Sequence, residues 1–168
     1  MSTGDKSYAA DLAGKVSGAD LRFALVASRF NAHVTDPLLD AAVLCLREHG
    51  AAESAIEVVR VPGAWEIPQA CHWLARKRKH DALVAIGCLI RGETAHFDLI
   101  ADEVARGLGA ITRETGVPVV FGVLATETEE QALERADPAR GDKGREAALA
   151  ALEMGALYAR LGRTRAGL

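Results

Sequence analysis

Four short apolar runs recur along this chain, each followed by a gap long enough for a helix: Leu21 to Ser28 (LRFALVAS), Ile56 to Pro62 (IEVVRVP), Asp81 to Ile90 (DALVAIGCLI) and Val117 to Thr126 (VPVVFGVLAT). Most are nearly continuous in apolar residues, the pattern of strands covered on both faces. The gaps carry helical spacing and end signals. Asp36-Pro37 reads as N-cap and first-turn proline of a helix that Gly50 closes. Phe97, Ile100, Val104, Leu108 and Ile111 share one helical face before Gly116. A shorter helix is expected in TEEQALERA. The last, DKGREAALAALEMGALYARLG, is expected to turn Leu149, Leu152, Ala156 and Leu157 to the core. Strands alternating with helices imply βαβ units. The expected fold is therefore a three-layer α/β/α sandwich on a four-stranded parallel sheet, of flavodoxin-like topology.

A length of 168 residues with 49% apolar content suffices for one domain with a full core. That domain is expected over residues 21–168, with 1–20, rich in Gly, Ser and Asp, as a mobile arm. With 23 acidic against 20 basic residues, nothing draws the chain as a whole to nucleic acid. The one basic run, RKRKH (Arg76 to His80), reads as a solvated helix end, and His49, His72 and His80 as surface or half-buried residues. No apolar run approaches the ~20 residues of a membrane span, and the N-terminus has no hydrophobic signal core, so a cytoplasmic protein is expected. Cys45, Cys71 and Cys88 form no C-x-x-C pair and read as small buried apolar residues.

In a parallel sheet, ligands bind beyond the carboxyl ends of the strands. That rule gathers Ser28 to Asn31 (SRFN), Pro62 to Glu66 (PGAWE), Cys88 to His96 (CLIRGETAH) and Phe121 to Glu127 (FGVLATE) at one edge. The turn after the first run is not G-x-G-x-x-G, and no G-x-x-x-x-G-K-[ST] occurs, which removes the two common nucleotide loops. His33 and His96 are far apart and H-E-x-x-H is absent, so no metal is expected. What remains is an anion site, a base and an aromatic platform. Gly92, Glu93 and Thr94 lead into a helix start, whose free N–H groups attract phosphate. His96 offers an imidazole suited to proton transfer near neutrality, and Phe30 a ring that can stack. Singly, each has a plainer reading: Thr94 as an empty N-cap, His96 as structural, Phe30 as core.

Together the blocks SRFN, VPGAWEIP, GCLIRGETAHFD, PVVFGVLATETEEQALERA and GDKG resemble, in order and spacing from about Leu21 to Leu161, the lumazine synthase family of riboflavin biosynthesis. The resemblance implies condensation of 5-amino-6-(D-ribitylamino)uracil with 3,4-dihydroxy-2-butanone 4-phosphate, without metal or organic cofactor. Phe30 would stack on the pyrimidine, and Ala64, Trp65 and Glu66 would hold the ribityl chain. Cys88, Leu89 and Ile90 would read the uracil through backbone groups. Glu93 and Thr94 would form the phosphate turn, Glu93 through its backbone, and His96 would move protons. The resemblance further implies a homo-oligomer built on pentamers with active sites at subunit interfaces. Phe121, Arg135 and Lys143 would then come from the neighbouring subunit, Arg135 gripping phosphate. A non-catalytic flavin or lumazine carrier, or a shell protein on the same fold, is the alternative. Retention of His96, Thr94 and Arg135 together favours the enzyme over a carrier.

Overall fold

A computed structural model describes residues 16–162. Four strands form one parallel sheet: β1 (Phe23–Ser28), β2 (Ile56–Val61), β3 (Ala82–Ile90) and β4 (Val119–Thr126), in the order β2-β1-β3-β4. This is the flavodoxin-like order with one strand fewer. Five α-helices connect and cover them: α1 (Ala32–Glu48), α2 (Ile67–Arg76), α3 (His96–Thr115), α4 (Glu129–Ala136) and α5 (Lys143–Leu161). Single 3-10 turns stand at Glu53–Ala55 and Ala64–Glu66.

The alternating side chains of β1 show why the runs are continuous. Phe23, Leu25 and Ala27 pack among α1, α4 and α5, while Ala24 and Val26 pack among α2 and α3. Both faces of the central strands β1 and β3 are covered, and the layers are those of an α/β/α sandwich. Each fully buried Phe, Leu, Ile or Val contributes about 1.5–3 kcal/mol, against the ~1–2 kcal/mol that ordering each residue's backbone costs.

Four local expectations are revised. Helix α1 begins at Ala32, and Pro37 lies inside it. The chain enters through Asn31 in the left-handed region, φ 58°, and the Asn31 carbonyl accepts from Val34 and Thr35 N–H. Burial of Val34 and Thr35 outweighs the one helical hydrogen bond that proline deletes. In α5 Leu152 is buried and Leu149 and Ala156 pack against the core as expected, but most of the buried face is small, Ala147, Ala148, Ala151 and Gly155, and Leu157 is half-buried outside the core clusters. Gly144 brings α5 so close to α1 that a Cβ there would lie 2.2 Å from the Leu38 carbonyl oxygen.

The third revision concerns the basic run. Arg76 to Lys79 are exposed, but His80 is only 5% exposed, its Nε2 2.9 Å from Glu57 Oε2. The fourth is at the N-terminal arm. Residues 1–15 lie outside the described residues, whereas Gly18 is buried and its N–H donates to the His49 carbonyl at 2.7 Å.

Candidate active site

Strands β1 and β3 are neighbours, yet β1 feeds α1 on one face of the sheet and β3 feeds α3 on the other. The crevice between two such exits is the usual ligand site of a doubly wound sheet. Here it holds a cavity of about 380 Å³, lined by Phe30, Asn31, Gly63, Ala64, Trp65, Cys88, Leu89, Ile90, Gly92, Thr94, His96, Phe97 and Ile100. That volume suits a small organic molecule.

The floor is unpaired strand backbone. β3 pairs with β1 only as far as Ile86, opposite Ala27, but continues with β4 to Ile90, opposite Thr126. In a parallel strand the N–H and C=O of one residue point to the same side, and successive residues alternate. The Leu83 N–H bonds Pro118 and the Arg91 N–H bonds Thr126, both toward β4. Cys88 and Ile90 therefore point their N–H and C=O toward the open crevice. The Cys88 carbonyl accepts from Asn31 Nδ2 at 3.0 Å, which confirms that direction. Backbone polar groups left without a strand partner need another, and those of Ile90 are placed to offer one donor and one acceptor to a planar ligand.

The aromatic wall is Phe30 and Trp65, 70% and 55% exposed. Their backbones are held while their rings are not. Arg29 and Phe30 N–H donate to the Val61 and Pro62 carbonyls, and Thr35 Oγ1 donates to the Ser28 carbonyl at 2.8 Å. Trp65 sits in the turn Ala64–Glu66, closed by Glu66 Oε2, which accepts from the Gly63 N–H at 2.8 Å. Glu66 lines a second, shallower depression with Trp65, His96, Leu99 and Ile100, so the two hollows share Trp65, His96 and Ile100.

At the far end, the turn Gly92 to Ala95 leads into α3. No side chain caps this helix; the nearest approach is a long hydrogen bond from the His96 N–H to Thr94 Oγ1 at 3.4 Å. A Cβ on Gly92 would meet nothing within 4 Å. Packing within the described residues therefore does not explain that glycine, and the backbone there is open to the cavity. The Arg91 guanidinium binds Asp98 through both Nη atoms at 2.9 Å and Glu127 through Nε, and stacks 4.2 Å over the Phe97 ring. Those hydrogen bonds hold the Asp98 carboxyl below its usual range and the guanidinium above its own. Burial pushes the Cys88 thiol up to about 11 and the Cys71 thiol to about 12, so neither sulfur is a nucleophile at neutral pH.

Of the residues singled out from sequence, Phe30, Ala64, Trp65, Cys88, Leu89, Ile90, Thr94 and His96 meet in the main cavity and Glu66 adjoins it. Glu93 is exposed and outside the lining. Phe121 and Lys143 line a different depression, along β4 and α5, with Glu146 holding the Lys143 ammonium at 2.7 Å. Arg135 is on α4, its Nη1 on the Gln131 carbonyl, and lines neither hollow. Among the described residues no three metal-ligating side chains cluster, and no helix is long and apolar enough to cross a membrane. Asn31, Gly63, Phe97 and Ile100 had not been singled out as site residues. Asn31 was legible as an asparagine at a strand exit, where left-handed backbone is tolerated.

Comparison with known proteins agrees with this geometry. The family model for 6,7-dimethyl-8-ribityllumazine synthase matches residues 20–159. A protein of that name from Aquifex aeolicus is 52% identical over 145 residues, 86% of this chain and 94% of its own length. Those from Kosmotoga olearia and Chlorobium luteolum are 50% and 48% identical, over 84% and 86% of this chain and 90% and 94% of their own. With three of the five sequence blocks meeting at one strand-end cavity, a family model matched over residues 20–159 and relatives this similar across nearly their whole length, the chain belongs to the 6,7-dimethyl-8-ribityllumazine synthase family.

Proposed function

We propose that this protein condenses 5-amino-6-(D-ribitylamino)uracil with 3,4-dihydroxy-2-butanone 4-phosphate to 6,7-dimethyl-8-ribityllumazine, releasing phosphate and water, as a transferase of riboflavin biosynthesis. The observation that carries the reading is the overrun of β3 past β1 beneath two exposed aromatic rings. A flat heterocycle with adjacent donors and acceptors fits there, stacked on Phe30 and bonded by the strand backbone at Cys88 to Ile90. Its ribityl chain would run past Ala64 and Trp65 to the Glu66 carboxylate. The butanone phosphate would meet the Gly92 to Thr94 turn, where Gly92 leaves the backbone open. A carboxylate at Glu93 repels that anion, and its exposed position leaves only its backbone for the task.

In this pose the primary amine of the pyrimidine attacks the ketone and loses water to form an imine. Removal of a proton from the adjacent carbon expels phosphate. The resulting enol takes up a proton at carbon to become a ketone, and the ribityl-bearing nitrogen closes the ring with loss of water. Every step moves a proton, and His96, shared by both hollows, is the group we assign to them. The diamine is itself a good nucleophile, so holding both substrates in line is the larger task.

The phosphate still lacks a cation, since Arg91 is occupied by Asp98 and Glu127. We assign that role to Arg135, and the outer wall to Phe121 and Lys143, all from a neighbouring copy in a pentamer-based homo-oligomer. The exposure of Phe121 and Arg135, and the absence of all three from their own chain's cavity lining, support this. Substrates that are small and water-borne favour a cytoplasmic setting. The test is incubation of the purified protein with both substrates, following lumazine absorbance and free phosphate. Equal yields of the two support the reading; phosphate without lumazine, or neither, refutes it.

A further inference from the structure

Arg91 is the first residue beyond β3, and its side chain turns back on the segment that follows it. Its N–H extends the sheet by one more bond to Thr126, its Nε reaches Glu127 just past β4, and its two Nη atoms bracket the Asp98 carboxylate in the first turn of α3. The Phe97 ring lies under its face. One planar group thus joins the ends of β3 and β4 to the start of α3. The loop closed by that junction, Gly92 to His96, contains the glycine, hydroxyl and imidazole of the cavity. Inside the loop the hydrogen bonding is slight: the long one from His96 to Thr94, and Leu99 N–H to the Ala95 carbonyl at 3.3 Å.

We infer that Arg91 is the positioning residue of the phosphate turn, setting where Thr94 and His96 stand without touching substrate. Two carboxylates share its single positive charge, so the cluster carries a net negative charge and does not attract phosphate. Planarity matters more than charge here: a guanidinium can bracket one carboxylate, meet a second at right angles and stack on a ring at once, whereas an ammonium offers one point. A displacement of about 1 Å at a reacting group can cost roughly 10²-fold in rate. A surface ion pair of ordinary kind would be worth little by comparison.

This inference rests on the proposed reaction, and Arg91→Lys with Asp98→Asn tests it in two independent ways. Hydrogen exchange of the amides at 99–102, the first helical hydrogen bonds of α3 and the ones anchored on this turn, should quicken at least tenfold in either variant, while exchange in β1 and β3 stays at the wild-type rate. In turnover, kcat should fall about 10- to 100-fold, the KM for the pyrimidine substrate should change less than twofold, and the double variant should be no worse than the poorer single one. Unchanged exchange at 99–102, or additive losses from the two substitutions, would overturn the positioning role. A wild-type protein that forms no lumazine would instead refute the reaction itself, while the exchange measurement would still decide whether Arg91 pins the turn.

Discussion

At the residue scale, the exposed residues His96 and Phe30 line the same cavity, and their substitution should separate chemistry from binding. His96→Ala should lower kcat by roughly 10²-fold, the low end of what general acid–base help is worth, with the Kd of a lumazine analogue within twofold. Phe30→Ala should weaken that ligand at least tenfold, with a smaller effect on kcat at saturation. Fluorescence titration beside single-turnover kinetics checks both, and loss of folding in His96→Ala would return that histidine to a structural role. The residue types at these positions were legible from sequence because each is costly to expose or leave unused. Arg91 was visible too, as a guanidinium in the same corner, but its partners Asp98 and Glu127 lie on two other elements. Spacing along the chain cannot report such a meeting.

Among the elements, close approach and burial make two predictions. Gly144→Ala drives a methyl into the Leu38 carbonyl, where α5 crosses α1, and should destabilise the fold by about 1–3 kcal/mol, seen as a lower midpoint in urea. Gly92→Ala meets nothing within 4 Å and should leave stability within about 0.5 kcal/mol while raising the KM for the butanone phosphate. The edge strand β2 supplies the second. Burial holds the His80 imidazole below its ordinary range, with Arg22 and Lys77 adding to that and Glu57 opposing it, and its Nδ1 has no hydrogen-bond partner among the described residues. Protonation is thus easier in the unfolded chain than in the fold. The stability His80 contributes is complete above about pH 6.5, where an unfolded imidazole is neutral. It falls as the pH drops below that value toward the depressed folded pKa. Urea unfolding at pH 7.5 and 5.5 should show a larger loss on acidification for the wild type than for His80→Gln; equal losses would remove His80 as a cause. The run RKRKH looked uniformly solvated because its basic neighbours mask the one position that the turn into β3 buries.

For the whole molecule, the proposal that Arg135 of a second copy completes the site can be tested by mixing variants. His96→Ala and Arg135→Ala proteins should each be poorly active. Unfolded and refolded as an equal mixture, they should place intact faces together at about a quarter of the contacts in a head-to-tail ring, and activity should return to about that fraction of wild type. Recovery no greater than the mean of the two variants, with mixed assemblies confirmed by mass spectrometry, would assign both residues to one subunit. The sequence by itself determined the order of strands and helices, the covering of the sheet on both faces, and the collection of the strand exits at one edge. Local apolar runs, turn residues and the handedness of βαβ units require these whatever the details of packing. Tertiary structure alone decided that β1 lies beside β3 and that β3 outruns it to Ile90. It also decided that helix α1 starts before its proline, that His80 is buried, and that Arg91 locks the turn. Strands that are apolar on both faces carry no alternation to betray their register, and contacts between residues distant in the chain are formed by the packing of whole elements, not by any local pattern.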